Sequence, residues 1–360
     1  MPETIEGISR RFGLEPGSIE QLVALGILVD SESLEDTRGG RGQPEVGVVT
    51  TCRAPGPLLE SFIRYHLLIG VSHIFLFFDD CEDDAIPRAR GYENVSVIPV
   101  DNELKRQQRS ATLYRELEPH LESEVMARQI LNVETALGWA AVRGLDWLIQ
   151  IDIDELFFSR RGLECFFSRI PDEVGFVNFY NYEAAPEKLS YVDPYKEVTL
   201  FKRNPFLVSP DRKRPYLHSG GKPHFLGYSN GKSAVRVAPG ALPSGVHMFK
   251  APSGHPTWLR PALEPAILHY VYCDFDAYLM KYSVWGEFSD FQWGDPGIPW
   301  TEFHKLSRDI CRTGDRQQIK AFFERMVVYT DAAEIDDYIK SAMCLRIDAV
   351  RRILTHSQPP

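Results

Sequence analysis

Asp152, Asp154 and Glu155 stand at the end of the apolar run Trp147-Leu148-Ile149-Gln150-Ile151, where carboxylates are disfavoured unless something holds them. On an extended strand, Asp152 and Asp154 project to one side and Ile151 and Ile153 to the other, so the two carboxylates lie roughly 7 Å apart along the chain. Such a pair can hold a divalent cation that neutralises a bound diphosphate and stabilises charge on a leaving group. Glu155 faces the opposite way and is expected to brace the turn. An isolated Asp-x-Asp can equally be a solvated strand end. The apolar lead-in puts this one where parallel strands of open sheets present their ligand sites, at the carboxyl end.

The flanking pattern supplies the elements that must position these groups. Val46 to Thr51, Ile74 to Phe78 and Val95 to Val100 are short apolar runs of the buried-strand kind. Between the first two, Leu58, Leu59, Phe62, Ile63, Tyr65, His66, Leu67 and Ile69 recur at helical spacing up to the stop at Gly70. Strand, crossover helix and strand predict a parallel, doubly wound α/β sheet. A long helix is predicted over 122–143, leading directly into the carboxylate strand, which is read as continuous over 146–158. Further strands are predicted at 174–182, 197–201 and 233–237, then a helical C-terminal third ending in one amphipathic helix at 332–354. Upstream, 19–29 reads as a short helix with a following strand and 31–45 as a linker.

The chain has 360 residues, 44% of them hydrophobic and 12% aromatic, enough for a sizeable core. A formal net charge of -10 with no basic run excludes a general nucleic-acid binder, so no nucleic-acid partner is expected. Six scattered cysteines form no C-x-x-C pair and no zinc-finger spacing. No stretch of about 18 consecutive apolar residues occurs, and the N-terminus has no signal-peptide pattern. A cytoplasmic location without an integral membrane segment is therefore expected.

The segment Asp146-Trp147-Leu148-Ile149-Gln150-Ile151-Asp152-Ile153-Asp154-Glu155-Leu156 resembles the D-W-[apolar]-x-x-D-x-D-E-[FL] signature of family 2-like and family 92 glycosyltransferases. Leu59 to His73, with Glu60, Tyr65, His66, Gly70 and Val71, resembles that group's L-x-E-W-x-x-Y-H-x-x-L-G-V-x-H, and Phe77-Phe78-Asp79-Asp80 its aspartate-ending strand. Gly231-Lys232 with Arg236, Gly245-Val246-His247 and His269-Tyr270 with Lys281 are similar to its G-K-x-x-x-R, G-x-H and H-Y…K elements. The resemblance spans 46–281. It implies a GT-A (Rossmann-like) mixed, mostly parallel sheet flanked by helices, a nucleotide-sugar donor with UDP-sugar favoured, a Mn2+ or Mg2+ ion, and inversion at the anomeric carbon. Where the group has Lys-Asn-Glu after its first strand, this chain has Cys52-Arg53-Ala54, which alters the first-loop contacts to the nucleotide.

On that resemblance the chain divides into a small N-terminal element with linker (1–45), a GT-A domain (46–300) and a helical C-terminal extension packed on it (301–360). Asp152, Asp154 and His247 are the expected metal ligands, with His269 as the alternative, since neutral imidazole suits such cations beside carboxylates. Thr51, Arg53, Asp79 or Asp80, Asp152, Lys232, His269 and Lys281 are expected to bind the donor. Inversion by direct displacement needs a carboxylate base on the acceptor side. Glu183 is the first candidate and Asp193 the second. Tyr180, Tyr182, Trp258 and Trp285 are candidates for stacking on sugar rings. The acceptor is a hydroxyl of a glycan, peptide or small molecule. A metal-dependent nucleotidyltransferase and a non-catalytic nucleotide-sugar or glycan-binding protein are the competing readings; no P-loop pattern supports the first.

Overall fold

A computed structural model of the protein describes residues 43–208, 222–286, 288–292 and 298–356. The predicted helix and strand over 19–29, and the linker up to residue 42, lie outside the described residues.

The main sheet contains β1 (Val46–Cys52), β2 (His73–Phe78), β3 (Val95–Pro99), β4 (Trp147–Gln150), β6 (Val174–Phe179), β9 (Lys232–Arg236) and β12 (Thr257–Leu259), in the order β12-β6-β9-β4-β1-β2-β3. The pairs β1/β2, β2/β3, β1/β4 and β12/β6 are parallel, and β9 runs antiparallel between β4 and β6. This is the expected mixed, mostly parallel α/β sheet.

Alternation along the strands explains why both faces are covered. Val46 and Val48, Ile74 and Leu76, and Trp147 and Ile149 point to one face, where they pack with Leu59, Phe62 and Ile63 of α1 (Leu58–Leu68). Val49, Phe75, Phe77 and Leu148 point to the other, against Val133, Ala136, Leu137 and Ala140 of α2 (Val125–Arg143). Both helices stop at glycines in the left-handed region, Gly70 at φ 98° and Gly144 at φ 74°.

A second sheet, in the order β16-β8-β7-β13-β5, comprises β5 (Glu155–Phe158), β7 (Asn181–Ala184), β8 (Leu200–Lys202), β13 (Ala266–His269) and β16 (Cys344–Arg346). Two-stranded pairs, β10 (Leu242–Ser244) with β11 (Met248–Lys250) and β14 (Phe291–Gln292) with β15 (Ile298–Pro299), complete the strands among the described residues. The chain passes from the first sheet to the second three times, between β4 and β5, between β6 and β7 and between β12 and β13. The strand predicted over 146–158 is therefore two strands in different sheets, and Asp152 to Asp154 form the turn at the crease. The strand predicted over 174–182 breaks likewise, at Tyr180.

Helices α3 (Phe275–Trp285), α4 (Glu302–Thr313) and α5 (Arg316–Val327) share an aromatic cluster of Tyr272, Tyr278, Phe303 and Phe323. The single amphipathic helix predicted over 332–354 is α6 (Ala332–Lys340), then β16, then α7 (Ala349–His356), broken where Ala342 takes φ 57°. β16 pairs with β8, so this end of the chain is built into the second sheet. Among the described residues, no helix is long and apolar enough to cross a membrane. All six cysteines are free.

Candidate active site at the crease between the sheets

β4 is buried along its whole length, its pairing with β1 and β9 ends at Gln150, and a last hydrogen bond runs from the Ile151 N–H to the Val49 carbonyl at 3.2 Å. The chain then turns, leaving the Asp152 and Asp154 side chains 33% and 25% exposed while Glu155, first residue of β5, is fully buried. Glu155 closes the turn on itself: its Oε2 accepts the Asp152 backbone N–H at 2.8 Å and its Oε1 meets the Tyr228 hydroxyl. Its expected bracing role is what the structure has. Burial pushes the Glu155 carboxyl up to about 8, opposed by Lys232 and reinforced by Asp152.

Lys232 opens β9, and the Gln150–Ser233 pairing puts it one step beyond the end of β4. The preceding Gly231 has φ 81°, and a Cβ there would lie 1.9 Å from the Phe179 carbonyl oxygen, so only glycine lets β9 begin here. Lys232 Nζ is thereby held 2.7 Å from Asp152 Oδ2 and 3.7 Å from Glu155, over the Tyr228 ring at 5.4 Å. Burial lowers its pKa, but Asp152 and Glu155 more than compensate, so it is raised. Gln129 of α2 donates to the other Asp152 oxygen at 2.8 Å.

Asp154 faces β13. His269 Nε2 lies 3.6 Å from its Oδ2, and the Tyr270 N–H donates to its backbone carbonyl at 2.8 Å. Burial raises the Asp154 pKa, but His269, Lys281 and Lys232 outweigh it and hold the carboxyl below its ordinary range. Burial lowers His269, but Asp154 and then Glu155 reverse this and leave it raised. His269 Nδ1 is buried without a hydrogen-bond partner, facing the bare α-carbon of Gly227, where a Cβ would be 3.5 Å away. The Tyr228 ring lies between this histidine and His247, tilted to both, with centroids at 5.0 and 4.5 Å. Lys281 lies over the Tyr272 ring at 5.0 Å.

The divalent-cation expectation meets its obstacle at Asp152, whose oxygens both accept hydrogen bonds, one of them from the Lys232 ammonium. His247 turns Nδ1 to the Gly231 carbonyl at 2.8 Å, which leaves Nε2 as the ring nitrogen that could ligate a cation. Burial, with Lys232 next, lowers His247 to about 3. Among the described residues, no group of three or more His, Cys, Asp or Glu is disposed to hold a metal ion.

Toward β1 and β2, Arg128 of α2 grips Asp79 with two hydrogen bonds of 2.7 and 2.8 Å. Of the two aspartates left open, Asp80 is the more accessible, 43% exposed and 3.9 Å from Arg53. Thr51 accepts from Asn132 of α2 at 3.0 Å. Arg53 is 55% exposed beside Ala54, which has φ 46°.

Neither expected base is placed to be one. Glu183 is fully buried, paired with Lys202, and accepts the Leu226 and Gly227 N–H groups at 3.0 and 2.8 Å. It clamps the 222–231 segment and has no face toward an acceptor. Asp193 caps the short helix Pro194–Glu197, accepting from Tyr195 N at 3.1 Å, Ser61 at 2.6 Å and Lys196 at 2.8 Å. Tyr180 is buried between Phe206 and Arg260, and Tyr182 is buried with its hydroxyl on the Leu263 carbonyl, so neither offers a ring to a sugar. Trp258 is 47% exposed, stacked on Phe176 at the sheet edge. The Trp285 side chain lies outside the described residues. Gln129, Arg128, Asn132 and Tyr228 were not anticipated. The first three share a face of α2 at i, i+1 and i+4, a polar patch on an otherwise core-facing helix, which was the available signal.

The chain matches no protein-family model. It is similar to two glycosyltransferase-like proteins of Arabidopsis thaliana. One is 28% identical over 330 residues, covering 85% of this chain and 71% of the relative. The other is 26% identical over 304 residues, covering 80% of this chain and 59% of the relative. Among solved structures, GalNAc-T7 with UDP, GalNAc and Mn2+ aligns over 98% of this chain and 64% of its own, at 11% identity and TM-score 0.34. Core-mannan synthase A of Aspergillus fumigatus, in its Mn/GDP form, aligns over 85% and 76%, at 9% identity and TM-score 0.26.

Proposed function

We propose that this protein is a glycosyltransferase of the GT-A kind that moves a sugar from a nucleotide-sugar donor, a UDP-sugar by preference, to a hydroxyl acceptor. The observation that carries the reading is the crease. Two accessible carboxylates, Asp152 and Asp154, sit past the carboxyl end of β4, with Lys232 against the first, His269 beside the second and the charge of Lys281 acting on Asp154 as well. A diphosphate entering here meets fixed positive charge, and the carboxylates orient those cations in place. The nucleoside end is assigned to the rim formed by Thr51, Arg53 and Asp80, across α2 from Asp152. Sequence relationship to glycosyltransferase-like proteins supports the reaction class. Inversion by direct displacement follows the family resemblance, with a base other than Glu183 or Asp193.

The test is calorimetric binding and turnover with a panel of UDP-, GDP- and other nucleotide sugars, on wild type and Asp154→Ala. One donor bound and slowly hydrolysed by wild type, with both lost in Asp154→Ala, is the expected result. Donor binding with no hydrolysis or transfer to any acceptor would replace the reading with that of a binding protein. Binding of no donor would end it.

A further inference from the structure

Resting on the glycosyl-transfer reading, we propose that the buried ammonium of Lys232 takes the place of a divalent metal, so that the donor's diphosphate is held by fixed cations of the chain alone. The position of Lys232 is set by backbone: β9 must start at Gly231, which tolerates no Cβ, and β9 is hydrogen-bonded to β4 on one side and β6 on the other. The side chain is 1% exposed, so its charge stays at the crease. It meets Asp152 at 2.7 Å and Glu155 at 3.7 Å, the two carboxylates nearest the end of β4.

A dication coordinated to Asp152 at about 2.1–2.4 Å would come within roughly 5 Å of this buried ammonium, and the two like charges would repel. Gln129 also donates to the other Asp152 oxygen, and Tyr228 and the Asp152 N–H hold Glu155. Asp154 keeps an accessible face, but its counter-charges are His269 and Lys281. Lys232 of β9 and His269 of β13 thus meet the two aspartates directly, and Lys281 of α3 adds positive charge felt by Asp154. The task usually given to a bridging metal, offsetting diphosphate charge and that of the departing nucleotide, falls to them.

The experiment uses the full chain stripped with EDTA. Mn2+ is titrated in and followed by electron paramagnetic resonance, and UDP and GDP binding is measured by calorimetry in EDTA and in excess Mn2+. Wild type is expected to take up no stoichiometric Mn2+, and its nucleotide affinity to change by less than about threefold between the two buffers. Lys232→Met should weaken nucleotide binding in EDTA by about tenfold or more, and should gain a Mn2+ site once Asp152 loses its ammonium partner. Adding Asp152→Asn should abolish that gained site. The melting temperature of Lys232→Met checks that it is folded, and Lys232→Arg, which keeps the charge, should bind nucleotide in EDTA more tightly than Lys232→Met. Uptake of one Mn2+ per wild-type chain, or affinity raised about tenfold or more by Mn2+, overturns the proposal. If neither nucleotide binds in either buffer, the donor reading falls, while the Mn2+ titration of wild type still decides the metal question.

Discussion

Glu183→Gln separates two roles that the same carboxylate has been given. As a general base, Glu183 would lower turnover by about 100- to 10,000-fold on amidation and leave stability unchanged. The geometry requires the reverse. Its two oxygens accept from Lys202, Leu226 N–H and Gly227 N–H, all donors, in a place with no solvent. A glutamine turns one acceptor into an NH2 facing those donors and leaves Lys202, 1% exposed, without its counter-charge. Removing one partner of a buried ion pair costs about 3–5 kcal/mol. With an unfolding entropy of about 2.1 cal/mol/K per residue over 360 residues, the melting temperature should fall by roughly 4–7 °C. Calorimetry reads this directly. Glu183→Gln combined with Lys202→Met should cost less than the sum of the singles by about 1 kcal/mol or more, because both charges are then gone. A melting temperature within about 1 °C of wild type, with turnover reduced a hundredfold, would refute the clamp and restore the base.

Gly231→Ala should destabilise by more than about 2–3 kcal/mol, since it combines φ 81° with a contact of 1.9 Å to backbone. Gly56→Ala, at φ 55° with open space around it, should cost only about 1–2 kcal/mol in the same urea titration; equal losses would show that the Phe179 carbonyl is not the obstacle. Acid should weaken the fold through buried neutral histidines. Burial holds His66 and His304 at about 3, and His66 uses both ring nitrogens in one neutral tautomer, Nδ1 donating to the Phe62 carbonyl and Nε2 accepting from Phe157 N–H. The unfolded chain takes up these protons below pH about 6.5 and the folded chain does not, so this stability is complete above that pH and declines as pH falls toward about 3. Each histidine should remove about 2 kcal/mol by pH 5, read as a drop in the urea midpoint from pH 7.5; a midpoint unchanged over that range would contradict the burial argument.

The main sheet was readable because its physics is local. Runs such as Ile74 to Phe78, short, apolar and bounded by Gly70 and Asp79, can bury both faces only as interior strands, and α1 and α2 announce themselves by period. What periodicity cannot report is a change of sheet. Ile149 to Phe158 reads as one alternating strand, yet pairing with β1 and β9 ends at Gln150 and pairing with β13 begins at Glu155. The same limit hid β16, whose three residues form a strand only because β8 offers an edge about 140 positions earlier.

The site divides along the same line. Asp152 and Asp154 were visible because charge interrupting an apolar run is a local anomaly, and Gly231-Lys232 because a motif marked it. Their roles, however, depend on which groups the crease brings within 4 Å, and that is set by non-local pairing. Glu183 illustrates the consequence. A glutamate ending an apolar strand has the same local pattern whether it faces a cleft or a lysine, and Lys202 is delivered by a neighbouring antiparallel strand through the Glu183–Lys202 register. Lys232 is the converse case. The sequence suggested a phosphate contact, but the β4/β9 register puts its ammonium on Asp152 itself, and so makes the chemistry of the carboxylates depend on a residue 80 positions away.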